Sequence, residues 1–274
     1  MSDVGERRIG IPLLLTVVLA IQVLSVASTI TLENVLGYEP QDVSLVVATG
    51  ESARLILLIF VMSSALAALV VLKRRTLFKF FITVFAVFGI WLITLLYVGF
   101  FLGDLAGIAF ATLAAAGLVY ATIRRKPDIL SLYAVASTVA FIPLFVLNMP
   151  LNVLLIFSVA LSLYDIFAVF VGPLRFLLGG NPPPKKVEPD KKTADLGIMV
   201  MQIAGVALGT GDLMLYSLVA SMGYFMKGVL GVLAVLITVP IGLTVTLLLL
   251  KRYSRPIPAL PIPVLLSIAA LLLI

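Results

Sequence analysis

The chain has 274 residues, of which 62% are hydrophobic and only 12% are charged, whereas soluble domains carry about 25% charged residues, so this composition is typical of a membrane protein. The net charge is +6 and the chain contains neither cysteine nor histidine, which excludes disulfide frameworks, thiolate nucleophiles, Cys/His metal sites and histidine general bases. No spacing of acidic residues suggests a metal site either, so the sequence predicts no cofactor.

Nine apolar runs are each long enough to cross a bilayer of roughly 30 Å as a helix, which takes about 20 residues. They cover 9–30, 54–72, 77–101, 105–123, 129–147, 151–171, 205–223, 228–250 and 257–274. The first run is too long for the apolar part of a cleavable signal peptide, so we interpret it as the first span. We therefore predict an all-α polytopic membrane protein with nine transmembrane helices.

The basic residues alternate between the two sides of this arrangement. With a cytoplasmic N-terminus, every lysine and arginine except Arg54 and Lys227 falls in a cytoplasmic segment. Cytoplasmic loops of membrane proteins carry such an excess of basic residues, and one missed span would invert every later loop. We therefore predict a cytoplasmic N-terminus and an extracytoplasmic C-terminus. The positive charge is thus a topology signal, and we predict no nucleic-acid partner.

The most polar stretch, 179–195, separates spans six and seven. It is rich in proline and lysine and has no apolar face that could pack against a core, so we expect a flexible cytoplasmic loop. The loop divides a single membrane domain into an N-terminal part, 1–178, with six spans and a C-terminal part, 196–274, with three. No sequence repeat relates the two parts.

One carboxylate lies in an apolar run on each side of this loop. Asp165 is six residues from the inner end of span six, which is roughly 9 Å below the cytoplasmic boundary. If span seven begins at Gly205, Asp212 is seven residues into its helix, roughly 10 Å deep. A start at Leu196 would instead place it roughly 24 Å deep. We prefer the later start, which brings both carboxylates to one level and places Gly205 and Gly209 on one helix face.

Two carboxylates at one level in a membrane need an explanation, because an ionised carboxylate in hydrocarbon is unfavourable by roughly 2.5–3.5 kcal/mol on insertion scales. Neighbouring carboxylates cannot both ionise cheaply, so the pair becomes an acid and a base side by side. The ionised member then deprotonates a water while the protonated member polarises the carbonyl under attack. Simpler interpretations are a structural hydrogen-bond partner for each Asp and a helix-packing role for the two glycines. Asp104 and Asp128 lie at loop edges, and we assign them no role.

The alternative function is a proton- or cation-coupled transporter, because intramembrane carboxylates also form proton relays. The predicted spans contain no buried lysine, arginine or histidine, and the chain shows no internal repeat of the kind that many transporters have. Both observations favour catalysis over transport.

Three short motifs follow one another in spans six, seven and nine: Tyr164-Asp165, Gly209-Thr210-Gly211-Asp212 and Pro258-Ala259-Leu260. In this order they resemble the presenilin and signal peptide peptidase family of GxGD-type intramembrane aspartyl proteases. The chain is most similar to the single-chain archaeal homologues, and its predicted cytoplasmic N-terminus is similar to that of presenilin. The resemblance in motifs covers roughly residues 150–274.

This resemblance implies that Asp165 and Asp212 are the catalytic pair. It also implies that the remaining motif residues support the site or bind substrate, namely Tyr164, Gly209, Thr210, Gly211, Pro258, Ala259 and Leu260. The implied partners are transmembrane polypeptide substrates and membrane lipid, and the implied location is the cell membrane of a prokaryote. Thr210 departs from the family, which usually has an aliphatic residue there, so we expect it to affect substrate preference rather than activity.

Cleavage of a helical substrate requires local unwinding, and an extended peptide commonly binds by adding a strand to an available edge. The apolar and partly β-prone segment 196–200 precedes span seven. We expect its residues Ile198 and Val200 to bind the unwound substrate together with Pro258–Leu260.

Overall fold

The structure, a computed structural model, describes residues 10–37, 54, 57, 75–124, 126–170, 200–203, 206–253 and 258–274. Within these ranges the chain forms seven helices and one two-stranded sheet. The elements in chain order are α1 (Gly10–Leu36), α2 (Arg75–Leu102), α3 (Asp104–Ile123), α4 (Pro127–Asn148), α5 (Leu151–Phe170), β1 (Val200–Ile203), β2 (Val206–Gly209), α6 (Thr210–Tyr253) and α7 (Pro261–Leu273).

Helices α1 to α6 are long and apolar enough to cross a membrane, and α7 is a shorter apolar helix of 13 residues. The chain is therefore a multi-pass integral membrane protein, as its composition predicts. Predicted span two, 54–72, lies outside the described residues except for Arg54 and Leu57, and so does the predicted loop 179–195. The count of nine spans and the orientation of the termini stay predictions.

The break between α2 and α3 lies at the glycine where the sequence places it. Gly103 has a φ of +89°, which glycine adopts without the steric penalty of a Cβ atom. The two helices fold back on one another so closely that a Cβ atom on Gly107 would lie 2.7 Å from the Cα atom of Gly99. Glycine at both positions therefore allows this helical hairpin to form.

Helix α6 consists of two arms rather than one straight rod. Lys227 and Gly228 have non-helical dihedral angles, with a φ of +59° at Gly228. A Cβ atom on Gly223 would lie 2.9 Å from the carbonyl oxygen of Gly231, whereas eight residues of straight helix extend about 12 Å. The chain therefore reverses direction at this break. The first arm, before the break, corresponds to predicted span seven, and the second arm, after it, to span eight.

The predicted start of span seven is wrong. Strands β1 and β2 pair antiparallel, with Val200 opposite Gly209, and the helix begins only at Thr210. Gly209 ends a strand, so the helix face that it was expected to share with Gly205 does not exist; Gly205 itself lies outside the described residues. A short apolar run is compatible with either a strand or a helix. Here residues 206–209 form a strand because they pair with residues 200–203.

The main hydrophobic core lies where α1, α4, α7 and both arms of α6 meet, with side chains of the β-hairpin and α5 against it. Buried polar side chains connect α1 to the first arm. The amide of Gln22 donates to the carbonyl oxygen of Tyr216 at 3.2 Å, and the hydroxyl of Thr29 donates to that of Ser221 at 3.2 Å. The paired positions increase together along both helices, so α1 and the first arm run parallel.

Candidate active site

Asp165 lies near the end of α5, five residues before Phe170, and its side chain is partly buried. One of its carboxylate oxygens, Oδ2, accepts a hydrogen bond from the backbone N–H of Leu260 at 3.2 Å. The backbone of Ala259 also hydrogen-bonds to this carboxylate. The start of α7 thus orients Asp165, although 95 residues separate Leu260 from it in the chain. The preceding residue, Tyr164, places its ring 6.4 Å from that of Phe167.

Asp212 lies in the first turn of the first arm, directly after the β-hairpin. Its carboxylate accepts a hydrogen bond from the backbone of Gly209. A Cβ atom on Gly209 would lie 3.0 Å from Oδ2 of Asp212 and 3.4 Å from its Cγ, so a side chain at this position would displace the carboxylate. Gly211 differs, because a Cβ atom there would meet nothing within 4 Å. The first glycine of the motif therefore positions Asp212, and the second leaves open space beside it.

The two carboxylates are close enough to interact electrostatically. Asp165 comes from the end of α5, Asp212 from the start of the first arm, and the Pro258–Leu260 segment from the start of α7. The predicted depth of Asp212, seven residues into a helix, is wrong, because only Thr210 and Gly211 precede it in α6. The carboxylates come within electrostatic range of each other because the start of the first arm lies near the end of α5.

Tyr216 is a residue of this site that the sequence analysis missed. It follows Asp212 by one helical turn, its side chain is 0% exposed, and it is close enough to both carboxylates to interact with them electrostatically. Its hydroxyl donates to the carbonyl oxygen of Ala259 at 2.8 Å. A tyrosine four residues after a candidate catalytic Asp faces the same side of the helix, and that spacing is the signal that could have identified it.

Two comparisons with known proteins gave matches. The family model described as Presenilin matches residues 180–274, which include Asp212 and the Pro258–Leu260 segment. A solved structure described as a presenilin family intramembrane aspartate protease, in space group C222, matches with a TM-score of 0.63 at 18% sequence identity. That match covers 96% of this chain and 98% of the other.

The fold is presenilin-like. The match to the family model covers the C-terminal third of the chain, and the structural match extends over nearly all of it. The comparison with curated proteins gave no match.

Two further residues predicted to bind substrate, Ile198 and Val200, precede the first arm of α6 in the chain. Val200 is the first residue of β1 and pairs with Gly209, so this strand runs beside the glycine that positions Asp212. Ile198 lies outside the described residues. The part of the segment 196–200 that the structure describes is therefore in a strand, and the strand adjoins the site.

Among the described residues, no group of three or more Asp, Glu, His or Cys side chains comes together in a way that could hold a metal ion. The polar groups of the candidate site include the two carboxylates, the phenol of Tyr216 and backbone amides. Neighbouring carboxylates, when one is protonated and the other ionised, can act as an acid and a base side by side.

Proposed function

We propose that this chain is a GxGD-type intramembrane aspartyl protease, which hydrolyses peptide bonds within or near the transmembrane segments of other membrane proteins. The observation that carries the proposal is the pairing of Asp165 with Asp212 between apolar helices, each carboxylate oriented by backbone amides. The presenilin-like fold and the presenilin family match support it.

In the proposed reaction the two carboxylates share one proton. The ionised carboxylate takes a proton from a water, whose oxygen attacks the carbonyl carbon of the substrate, while the protonated carboxylate donates to the carbonyl oxygen. The tetrahedral intermediate then breaks its C–N bond as a proton passes to the leaving amine. Asp165 and Asp212 fill these two roles, and the amides of Leu260 and Gly209 hold the carboxylates in place throughout.

The proposal includes the arrangement of the chain in the membrane. Nine spans, a cytoplasmic N-terminus and an extracytoplasmic C-terminus follow from the distribution of lysine and arginine. In this orientation the end of α5 and the start of the first arm are on the cytoplasmic side, so water reaches the carboxylates from there. The residence of the protein in the cell membrane of a prokaryote is part of the same proposal.

The β-hairpin is the proposed docking edge for an unwound substrate. A two-stranded sheet has outer edges with unpaired backbone groups, to which an extended peptide can add as a further strand. Strand β2 leads directly into the helix that carries Asp212, so a peptide held on this sheet would extend toward the carboxylates. The Pro258–Leu260 segment contributes to the site the backbone N–H that donates to Asp165.

Replacement of Val200 or Ile198 with proline is expected to weaken substrate binding while the fold is preserved. Proline removes a backbone N–H from the sheet, and each lost hydrogen bond contributes about 0.5–1.5 kcal/mol, which predicts an increase in KM of about fivefold. The measurement is the steady-state cleavage of a single-span substrate in detergent. Val200→Ala keeps the N–H and should retain the wild-type KM. An unchanged KM in both proline variants would show that substrate does not bind to this strand.

The experiment that tests the proposed function uses the purified full-length chain and a set of single-span peptides in detergent. We expect cleavage, with mass spectrometry placing the broken bond within or near the apolar segment of the peptide. In parallel, the chain in liposomes should not couple proton uptake to movement of a cation or a small solute. Substrate-linked proton uptake, dependent on the two aspartates and without cleavage of any peptide, would favour the transporter and overturn the protease.

A further inference from the structure

We propose that Tyr216 is a positioning residue of the site: its hydroxyl holds the Pro258–Leu260 segment so that the N–H of Leu260 points at Asp165. This inference rests on the proposed protease function and extends it to a residue outside the three motifs. The phenol connects the helix of one carboxylate to the segment that orients the other.

The proline pattern of α7 explains why the segment needs this hydroxyl. In a helix, the carbonyl of Ala259 would accept from the N–H of the residue four positions later, and that residue is Pro263, which has no N–H. The first backbone hydrogen bond of the helix is instead made by Val264, whose N–H donates to the carbonyl of Leu260 at 3.1 Å. The carbonyl of Ala259 is left without its helical donor, and the hydroxyl of Tyr216 donates to it at 2.8 Å.

The same prolines determine which amides can reach Asp165. The early N–H groups of a helix have no partner within it, and Pro261 and Pro263 have none to offer. The N–H of Leu260 therefore donates to Asp165 at 3.2 Å, and the backbone of Ala259 adds a second hydrogen bond. The peptide unit that joins Ala259 to Leu260 thus accepts from Tyr216 through its oxygen and donates to Asp165 through its nitrogen.

Tyr216 is itself held rigidly. Its side chain is 0% exposed, and its own carbonyl accepts a hydrogen bond from the side-chain amide of Gln22 at 3.2 Å. It is also fixed to Asp212, one turn earlier in the first arm. A single peptide unit between Tyr216 and Asp165 therefore sets the position of one carboxylate relative to the other.

The test compares Tyr216→Phe, which removes only the hydroxyl, with Tyr133→Phe. The hydroxyl of Tyr133 donates to the carbonyl of Ala114 at 2.9 Å in a separate cluster formed by α2, α3 and α4, so this control loses the same kind of hydrogen bond elsewhere. We expect Tyr216→Phe to lower kcat by about 10- to 100-fold with KM unchanged, as for a small misplacement of a reacting group. Tyr133→Phe should keep the wild-type kcat. An unchanged kcat in folded Tyr216→Phe would overturn the proposal.

A double variant distinguishes positioning through the segment from any independent effect of the hydroxyl. Leu260→Pro removes the N–H that donates to Asp165, and Leu260 has a φ of −79°, which proline accepts. Both substitutions act on the peptide unit between Ala259 and Leu260. The loss of kcat in the double variant should therefore be smaller than the product of the two single losses. Multiplied effects would contradict the proposal. A wild-type kcat in Leu260→Pro would also overturn it, even if Tyr216→Phe did not fold.

Hydrogen exchange gives a readout that does not depend on activity. Between positions 258 and 263 only Ala259, Leu260 and Ile262 carry an amide proton, since the other three residues are proline. We expect faster exchange in a peptide covering this segment in Tyr216→Phe than in wild type or Tyr133→Phe. Unchanged exchange overturns the positioning role while leaving the protease intact. Cleavage that survives loss of either aspartate would instead reject the proposed function.

Discussion

Asp165→Asn and Asp212→Asn are each expected to lower the rate of cleavage by about 10²- to 10⁴-fold, the usual contribution of a positioned acid or base. An amide cannot take a proton from water as a carboxylate does, and it is no acid. The substitution keeps the size of the side chain, so the hydrogen bonds from the backbone of Leu260 and Gly209 can be retained in part. The measurement is single-turnover cleavage of a single-span peptide in detergent.

The matched control is Asp104→Asn, which removes a carboxylate from the first turn of α3. Its side chain is exposed, and it lies outside the group of residues around the site. This variant should cleave at the wild-type rate. Thermal unfolding of all three variants separates a chemical loss from a folding defect. Wild-type cleavage by either Asp165→Asn or Asp212→Asn would rule out a mechanism that needs both carboxylates.

Gly242→Val is expected to inactivate the protein, although glycine has no side chain that could take part in the reaction. A Cβ atom on Gly242 would lie 2.5 Å from the Cα atom of Pro263 and 2.7 Å from its nitrogen, so the second arm of α6 packs directly against the backbone at the start of α7. Overpacking of this kind destabilises a fold by about 1–3 kcal/mol. It also displaces the segment that orients Asp165, and a shift of about 1 Å can reduce activity by about 10²-fold.

Gly89→Val is the matched control, because a Cβ atom on this glycine of α2 would meet nothing within 4 Å. It should keep the wild-type melting temperature and rate of cleavage. Gly242→Ala, with a smaller side chain, should fall between wild type and Gly242→Val in both measurements. If Gly242→Val had the wild-type melting temperature and full activity, the close approach of the second arm to α7 would not be a feature of the protein.

The helices could be predicted where a long apolar run is bounded by polar residues, glycine or proline. Predicted span four, 105–123, corresponds to Asp104–Ile123, and predicted span six, 151–171, corresponds to Leu151–Phe170. The β-hairpin was not predicted, because hydropathy does not distinguish a strand from a helix in an apolar run of a few residues. The valines and isoleucines on both sides of residues 204 and 205 favour strands, and a glycine in a two-residue connection favours a hairpin.

The residues of the candidate site also differ in how easily they can be recognised from the sequence. Asp165 and Asp212 stand out in the sequence because carboxylates are rare in apolar runs. The Pro258–Leu260 segment stands out because prolines lie within it and on both sides of it. Tyr216 stands out less, since its spacing from Asp212 indicates a shared helix face but does not indicate which partner its hydroxyl contacts. That partner, Ala259, is 43 residues away in the chain. Only the packing of α7 against the first arm brings the two together.

The position of α7 in the chain also limits when the proposed enzyme can begin to act. Both aspartates are synthesised well before Leu260, which follows Asp212 by 48 residues. A nascent chain that has inserted α5 and α6 therefore holds both carboxylates while Asp165 has no amide to orient it. Full assembly waits until α7 has entered the membrane and packed against α6. On the proposed function, a newly made chain therefore becomes active only once α7 is in place.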